Sequence, residues 1–293
     1  MKNKINKIID TLNNEIPVFY TQTERFNKKE AKKHINTWAD YIRLNLEHGP
    51  LDFKGIMEYM YELKRCGPTK DGYIYPGIIC ELPFRVCSKE IVDSNAWMIN
   101  QLLALGVHGF LLCHAESAEG VFRVAQYMTY AFKKIRYKNK NYDGLRGHGG
   151  QKSGSFYWNL KELDYMNQAS LWPIFPNGKL LLGVKIENKV SHKHYKKVLS
   201  VPGVSFAEWG PGDTGMSLGY PQKHDPPYPT KMKKLQDNVR NFCEKKKIHF
   251  LNAAYNKKEM DENIKSKVMF MRIADSDTKG LLAKYCRKKF KNK

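Results

Sequence analysis

Residues 179–213 read KLLLGVKIENKVSHKHYKKVLSVPGVSFAEWGPGD. An apolar run ends in Glu187, and a helical stretch, SHKHYKKVLS, follows it. A second apolar run, GVSFAEWG, then leads into Gly210-Pro211-Gly212-Asp213. Strand, crossover helix and strand in this order form the unit that builds a parallel sheet. The alternation continues in both directions. VFYTQ (18–22), YIRLNLEHG (41–49), GIICELPF (77–84) and VHGFLLCHA (107–115) are strand candidates upstream. IHFLNAA (248–254) and VMFMRIAD (268–275) follow downstream. Helices are expected over 28–38, 51–65, 94–106, 116–132, 191–200, 231–246, 260–267 and 277–290. In the 94–106 helix, Ser94 is an N-cap candidate and Gly106 a C-cap. Eight strand candidates, nearly all followed by a helix, predict an α/β fold, a closed (β/α)8 TIM barrel formed as a single domain over 1–293. Residues 136–179 are rich in Tyr, Asn, Lys and Gly, and a long inserted loop region with one short helix at WNLKELDYMNQ is expected there. No Gly-x-Gly-x-x-Gly opens a helix after the first strand, which argues against a dinucleotide-binding sheet.

Composition narrows the possible functions. The chain has 293 residues and is 42% hydrophobic, enough for one barrel with a sizeable core. Its formal net charge is +21. The lysines run from Lys2 to Lys293 in short clusters such as Lys245-Lys246-Lys247, and no zinc-finger, RNA-recognition or basic-zipper pattern accompanies them. The charge therefore reads as a solvated surface, and no specific nucleic-acid partner is expected. Six cysteines occur without a CxxC pair. Cys80 and Cys113 sit in apolar runs as small buried hydrophobes, which is reduced, intracellular usage. The first twenty residues have no apolar signal core, and no apolar stretch approaches about 18 residues. A soluble, cytoplasmic protein without a membrane partner is expected.

Active sites of such barrels gather at the C-terminal ends of the strands. Those ends carry Glu47-His48-Gly49, Pro83-Phe84-Arg85, His114, Glu187 and Gly210-Pro211-Gly212-Asp213. Singly, each has an ordinary reading: Glu187 as a helix-start acid, Asp213 as a turn or N-cap residue, His48 as a loop histidine, Arg85 as a salt-bridge partner. Together on successive strand ends they form a coherent set. Hard oxygen donors suit Mg²⁺ or Mn²⁺, and two carboxylates leave coordination positions open for a chelating 2-oxo acid. The ion would act as a Lewis acid, the arginine would stabilise the developing negative charge, and a histidine would move protons.

The segments LNLEHGPLD (44–52), LPFRV (82–86), LALGVHGFLLCHAESAEG (103–120), GLRGHGG (144–150), VKIEN (184–188) and VPGVSFAEWGPGDTGMSLGYP (201–221) resemble the HpcH/HpaI aldolase/citrate lyase family, the metal-dependent class II pyruvate aldolases. The resemblance spans residues 38–275. It implies Glu187 and Asp213 as metal ligands and Arg85 on the 2-oxo acid oxygen. It also implies His48 as catalytic base or water activator, and the backbone N–H groups of Gly212 and Asp213 on the substrate carboxylate. The cofactor expected is a divalent cation, Mg²⁺, Mn²⁺ or Co²⁺, and a homo-oligomer, hexamer or trimer, is implied. Two positions depart from the family. Asn45 stands where an aspartate usually orients the histidine, and Lys185 stands where a glutamine usually precedes the metal glutamate. An asparagine at 45 can hydrogen-bond a ring but not stabilise an imidazolium by charge. Lys185 reaches either into the barrel or out to solvent.

The expected function is a metal-dependent aldolase that cleaves 4-hydroxy-2-oxo acids to pyruvate, or a related 2-oxo acid, and an aldehyde through a metal-stabilised enolate. The alternatives are a citrate-lyase-like acyl-CoA lyase or decarboxylase on the same fold, and a non-catalytic barrel that binds a small acid.

Overall fold

The structure, a computed structural model, describes residues 4–273 and 279–291. Its strands are β1 (Val18–Thr23), β2 (Tyr41–Asn45), β3 (Gly77–Leu82), β4 (Gly109–Leu112), β5 (Lys134–Tyr137), β6 (Lys140–Asp143), β7 (Leu181–Ile186), β8 (Val204–Trp209), β9 (His249–Ala254) and β10 (Phe270–Ile273). Eight of them close a parallel barrel in the order β1-β2-β3-β4-β7-β8-β9-β10, with β10 returning to β1. The (β/α)8 TIM barrel expected from the sequence is thus the observed fold. The eight strand candidates lie on the eight barrel strands. The last two residues of the 268–275 candidate and the first two of the 277–290 helix lie outside the described residues, and the final helix is Lys279–Lys291.

Successive residues of a strand face opposite sides, so each barrel strand sends alternate side chains inward. Near the N-terminal ends the interior is apolar, filled by Val18, Tyr20, Tyr41, Ile79, Leu111, Leu181, Phe206, Leu251 and Phe270. The helix Lys7–Asn13, capped by Asn6, packs Ile8, Ile9 and Leu12 against this cluster. Gly183 faces inward, and a Cβ there would lie 2.2 Å from the Phe206 ring, so glycine makes room for the aromatic layer. Two residues further along, the interior turns ionic at Arg43, Glu81, Lys185 and Glu208.

Several local expectations are corrected. The 94–106 helix is two helices, Lys89–Ser94 and Ala96–Ala104. Ser88 caps the first and Asn95 precedes the second, so Ser94 ends a helix and caps none. Gly106 does sit just beyond the second helix with φ +80°. The 136–179 stretch is more regular than a loop. The β5–β6 hairpin reaches into it, and the helices Gln151–Trp158 and Glu162–Gln168 follow. These elements pack Trp158 and Tyr165 into the core, with the Trp158 Nε1 and Tyr75 hydroxyl both donating to the Gly106 carbonyl.

His108, just before β4, is fully buried between Tyr75 and Trp158. Its Nδ1 accepts the Ile78 N–H at 3.1 Å, which requires the neutral ring. Burial drives its pKa down to about 3. In the unfolded chain the ring titrates near 6.5, so below that pH only the unfolded state takes the proton. His108 therefore contributes fully above about pH 6.5, and its contribution is lost as pH falls toward 3. At pH 5 the loss is about 2 kcal/mol. Guanidinium unfolding of wild type and His108→Gln at pH 7 and pH 5 measures it. The variant is expected to lose about 2 kcal/mol less between the two pH values; identical losses would show that His108 is protonated in the fold.

Candidate active site

Glu187 follows β7 directly and is held from several sides. Its backbone N–H donates to Ser191 Oγ at 3.0 Å, and Asn188 caps the next helix, Lys189–Leu199, by accepting the Ser191 N–H. Gly210, after β8, passes so close that a Cβ there would lie 2.6 Å from Glu187 Cβ. Pro211 then starts the helix Pro211–Leu218, whose first turn carries Gly212 and Asp213 and has no side-chain N-cap. His192 from the helix Lys189–Leu199 meets Thr214 Oγ1 at 3.1 Å and ties this turn to the helix that follows β7. The two strand ends thereby bring Glu187 and Asp213 together.

Glu47 and His114 join them. One donor atom from each of Glu47, His114, Glu187 and Asp213 lies within 4.8 Å of all the others. His114 follows β4 with φ +44°, a backbone setting disfavoured outside glycine. That turn aims its N–H at Glu187 Oε1, 2.6 Å away. Its ring Nδ1 is 3.0 Å from the Asn188 amide nitrogen, a donor, so the ring is an acceptor there. Burial lowers the His114 pKa, consistent with a neutral ring.

Lys185 reaches into the barrel and is only 7% exposed. Its ammonium lies 2.7 Å from Glu47, 3.0 Å from Glu81 and 3.1 Å from Glu187. Burial alone would discharge it, but the carboxylates of Glu187 and Glu81 foremost raise its pKa well above the ordinary lysine value. Burial likewise opposes ionisation of Glu47, yet Lys185 outweighs it and holds the carboxyl below its usual value. Glu187 is 1% exposed, and burial raises its pKa to about 7 against the pull of Lys185.

The donor set fits a divalent cation. The carboxylates of Glu47, Glu81, Glu187, Glu208 and Asp213 face two permanent cations, Arg43 and Lys185. With every carboxylate ionised, three negative charges would stay unbalanced in a partly buried group, a condition that protonation, as at Glu187, or a bound cation relieves.

The remaining sequence candidates occupy the rim. His48 is 62% exposed, with Nε2 3.4 Å from Glu47 Oε2. Asn45 does not touch its ring. The Asn45 side-chain oxygen instead accepts the backbone N–H groups of Glu47 and His48, and its amide donates to Glu24. Arg85 is 60% exposed and donates to Glu116 at 2.5 Å. Glu116 also accepts from Asn188, which links Arg85 to the residue beside Glu187. Glu116, Asn188 and the Arg43–Glu81–Glu208 layer were not anticipated. The signal for the layer lies in the alternation: Arg43, Glu81 and Glu208 each follow an inward apolar residue, Tyr41, Ile79 and Phe206, by two positions.

No family model matches the chain. A hydroxypyruvate/pyruvate aldolase of Agrobacterium fabrum is 26% identical over 188 residues, 64% of this chain and 58% of that relative. The chain thus spans less than two thirds of the length of the curated relatives it matches. An HpcH/HpaI aldolase/citrate lyase family protein from Burkholderia cenocepacia superposes with a TM-score of 0.69 at 15% identity, covering 98% of both chains. The citrate lyase beta subunit of M. tuberculosis, complexed with oxaloacetate and magnesium, gives 0.57 at 10% identity, covering 93% of this chain and 97% of that one. The resemblance to this family read from the sequence is borne out. Among the described residues no helix is long and apolar enough to cross a membrane.

Proposed function

Taking that resemblance as the premise, we propose that the chain is a metal-dependent carbon–carbon lyase that cleaves 4-hydroxy-2-oxo acids to pyruvate, or a related 2-oxo acid, and an aldehyde. The observation that carries this reading is the convergence of Glu47, His114, Glu187 and Asp213 donors within 4.8 Å at the barrel mouth. In the proposal Glu187 and Asp213 hold a divalent cation, Mg²⁺, Mn²⁺ or Co²⁺. A Lewis acid at that point polarises the 2-oxo group and lowers the energy of the enolate.

The chain's own groups supply the rest. The free N–H groups of Gly212 and Asp213 open a helix, where the dipole favours the substrate carboxylate. Arg85 leaves Glu116 to face the 2-oxo oxygen, where negative charge grows. His48 takes the proton of the 4-hydroxyl through Nε2. As the C3–C4 bond breaks, its electron pair moves into the C2–C3 bond, negative charge collects on the 2-oxo oxygen and the 4-hydroxyl carbon becomes the aldehyde carbonyl; the proton held by His48, or one from water, then passes to C3 and gives pyruvate. Glu47, beside the His48 ring, supplies the negative charge that Asn45 cannot give.

The experiment is pyruvate release from a 4-hydroxy-2-oxo acid, read by reduction to lactate. Turnover is expected with added Mg²⁺ or Mn²⁺ and is expected to stop with EDTA; turnover unaffected by EDTA would defeat the metal assignment. Arg85→Ala is expected to lower kcat by about 10²–10³-fold while leaving the unfolding midpoint unchanged, because the side chain is largely exposed. A variant with full kcat would remove Arg85 from the chemistry.

A homo-oligomer, hexamer or trimer, in the cytoplasm is proposed with it. Met57, Tyr61, Trp97 and Phe156 are exposed on three helices, and Tyr61 stacks on Phe156. Exposed apolar groups of this kind favour burial against another copy. A monomer in analytical ultracentrifugation would exclude it.

A further inference from the structure

Three carboxylates ring the Lys185 ammonium: it donates to Glu47 Oε2 at 2.7 Å and lies within ion-pair distance of Glu81 Oε1, at 3.0 Å, and of Glu187 Oε2, at 3.1 Å. The same arrangement divides the oxygens of Glu47 and Glu187. In both, Oε2 is committed to Lys185. In both, Oε1 is turned to the cluster: Glu47 Oε1 lies 3.8 Å from His114 Nε2, and Glu187 Oε1 lies 3.8 Å from His114 Nδ1. Glu187 Oε1 is further held by the His114 N–H. A cation that meets the Oε1 atoms then finds the Oε2 atom of each glutamate held against Lys185.

That restriction bears on which cation is held. Calcium takes six to eight oxygens at about 2.3–2.6 Å and gains much of its protein coordination from bidentate carboxylates. Magnesium requires six ligands in near-octahedral array at about 2.0–2.1 Å and is satisfied by single carboxylate oxygens and waters. We propose that Lys185 is a specificity-determining residue of the site: by holding the second oxygen of Glu47 and Glu187, it enforces monodentate coordination and selects a small octahedral divalent cation against calcium. The inference rests on the metal reading of the Glu187–Asp213 cluster. A lysine serving only as a counter-charge for buried acids would support stability equally for every ion and leave the choice among ions unchanged.

The test is calorimetric titration of the full chain, stripped with chelator, with Mg²⁺, Mn²⁺ and Ca²⁺, for wild type and Lys185→Gln. Glutamine removes the charge and frees at least one of the committed oxygens. The calcium affinity, relative to magnesium, is expected to rise by about tenfold or more in the variant. A ratio within about threefold of wild type, with magnesium still bound, overturns the inference and leaves the metal reading standing. Wild type and variant both failing to bind all three ions overturns the two together. Should Lys185→Gln not fold, the double variant Lys185→Gln/Glu81→Gln removes the cation together with the carboxylate that lies outside the four-residue cluster, and the same ratio decides.

Discussion

Replacing Glu187 by glutamine is expected to abolish the response of this protein to divalent cations. In wild type, Mg²⁺ or Mn²⁺ at about one hundred times its dissociation constant should stabilise the fold by about 2.7 kcal/mol, because a site built only in the native state adds its binding energy to folding. Glutamine keeps the size of the side chain and an oxygen for the His114 N–H, which Glu187 accepts at 2.6 Å. It removes the charge that a cation needs. Loss of a group behind a metal ligand already costs about 10–100-fold in affinity or activity, so loss of the ligand itself should cost more than about 100-fold in both. Thermal melts with and without metal measure the first effect, and pyruvate release the second. The variant should remain folded, since it removes a buried carboxyl that burial already disfavours as the ion. A Glu187→Gln protein stabilised by metal as much as wild type would move the ligand assignment elsewhere in the cluster.

The largest loss of stability is expected from Arg43→Met. Arg43 is 6% exposed, and its guanidinium serves the ionic layer beneath the mouth. Nε is 3.3 Å from Glu81, one terminal nitrogen donates to Glu208 at 2.8 Å, and the other donates to Gln22 at 3.2 Å. The group also lies over the Tyr20 ring at 4.7 Å. Methionine fills much of the volume and leaves Glu208 without the cation it pairs with here, and Glu81 with Lys185 alone. Breaking one side of a buried pair costs about 3–5 kcal/mol because a charge is left uncompensated. At about 2–4 °C per kcal/mol for a chain of this size, the unfolding midpoint should drop by roughly 10 °C. Adding Glu208→Gln should recover part of it, since the stranded charge is then gone. A single variant within about 1 kcal/mol of wild type would mean that water already screens the layer.

The barrel was legible because each of its strands is a compact apolar run followed by a helical pattern, and because strand ends in this fold share one mouth. Position places Glu187, Asp213, Arg85 and His48 at strand ends, and the structure brings the first two together while the last two lie on the rim. Position does not give the direction of Lys185. A barrel strand is buried on both faces, so a lone lysine in VKIEN has no outward side marked by polar neighbours; its partners, Glu47 just after β2 and Glu81 in β3, are more than a hundred residues away. Glu116 and Asn188 were hidden for a related reason. Each lies at a helix start, where an acid or an asparagine is expected whatever the site needs. Asn45 reads as a partner for an imidazole, but its side-chain oxygen accepts the N–H groups of Glu47 and His48 in its own turn, the competition that short polar side chains commonly win. The hairpin and helices within 134–168 escaped because their elements are short and their apolar residues, such as Trp158 and Tyr165, are scattered among polar ones.

Above all, Glu187 and Asp213 are proposed to hold a cation that activates a pyruvate-like acid. Exchange of the pyruvate methyl protons in deuterated water, followed by proton NMR with catalytic protein, tests it without knowledge of the aldehyde. Exchange is expected with Mg²⁺, Mn²⁺ or Co²⁺ and is expected to disappear with EDTA and in Glu187→Gln. Absence of exchange with all three ions, or exchange that persists in EDTA, would contradict it.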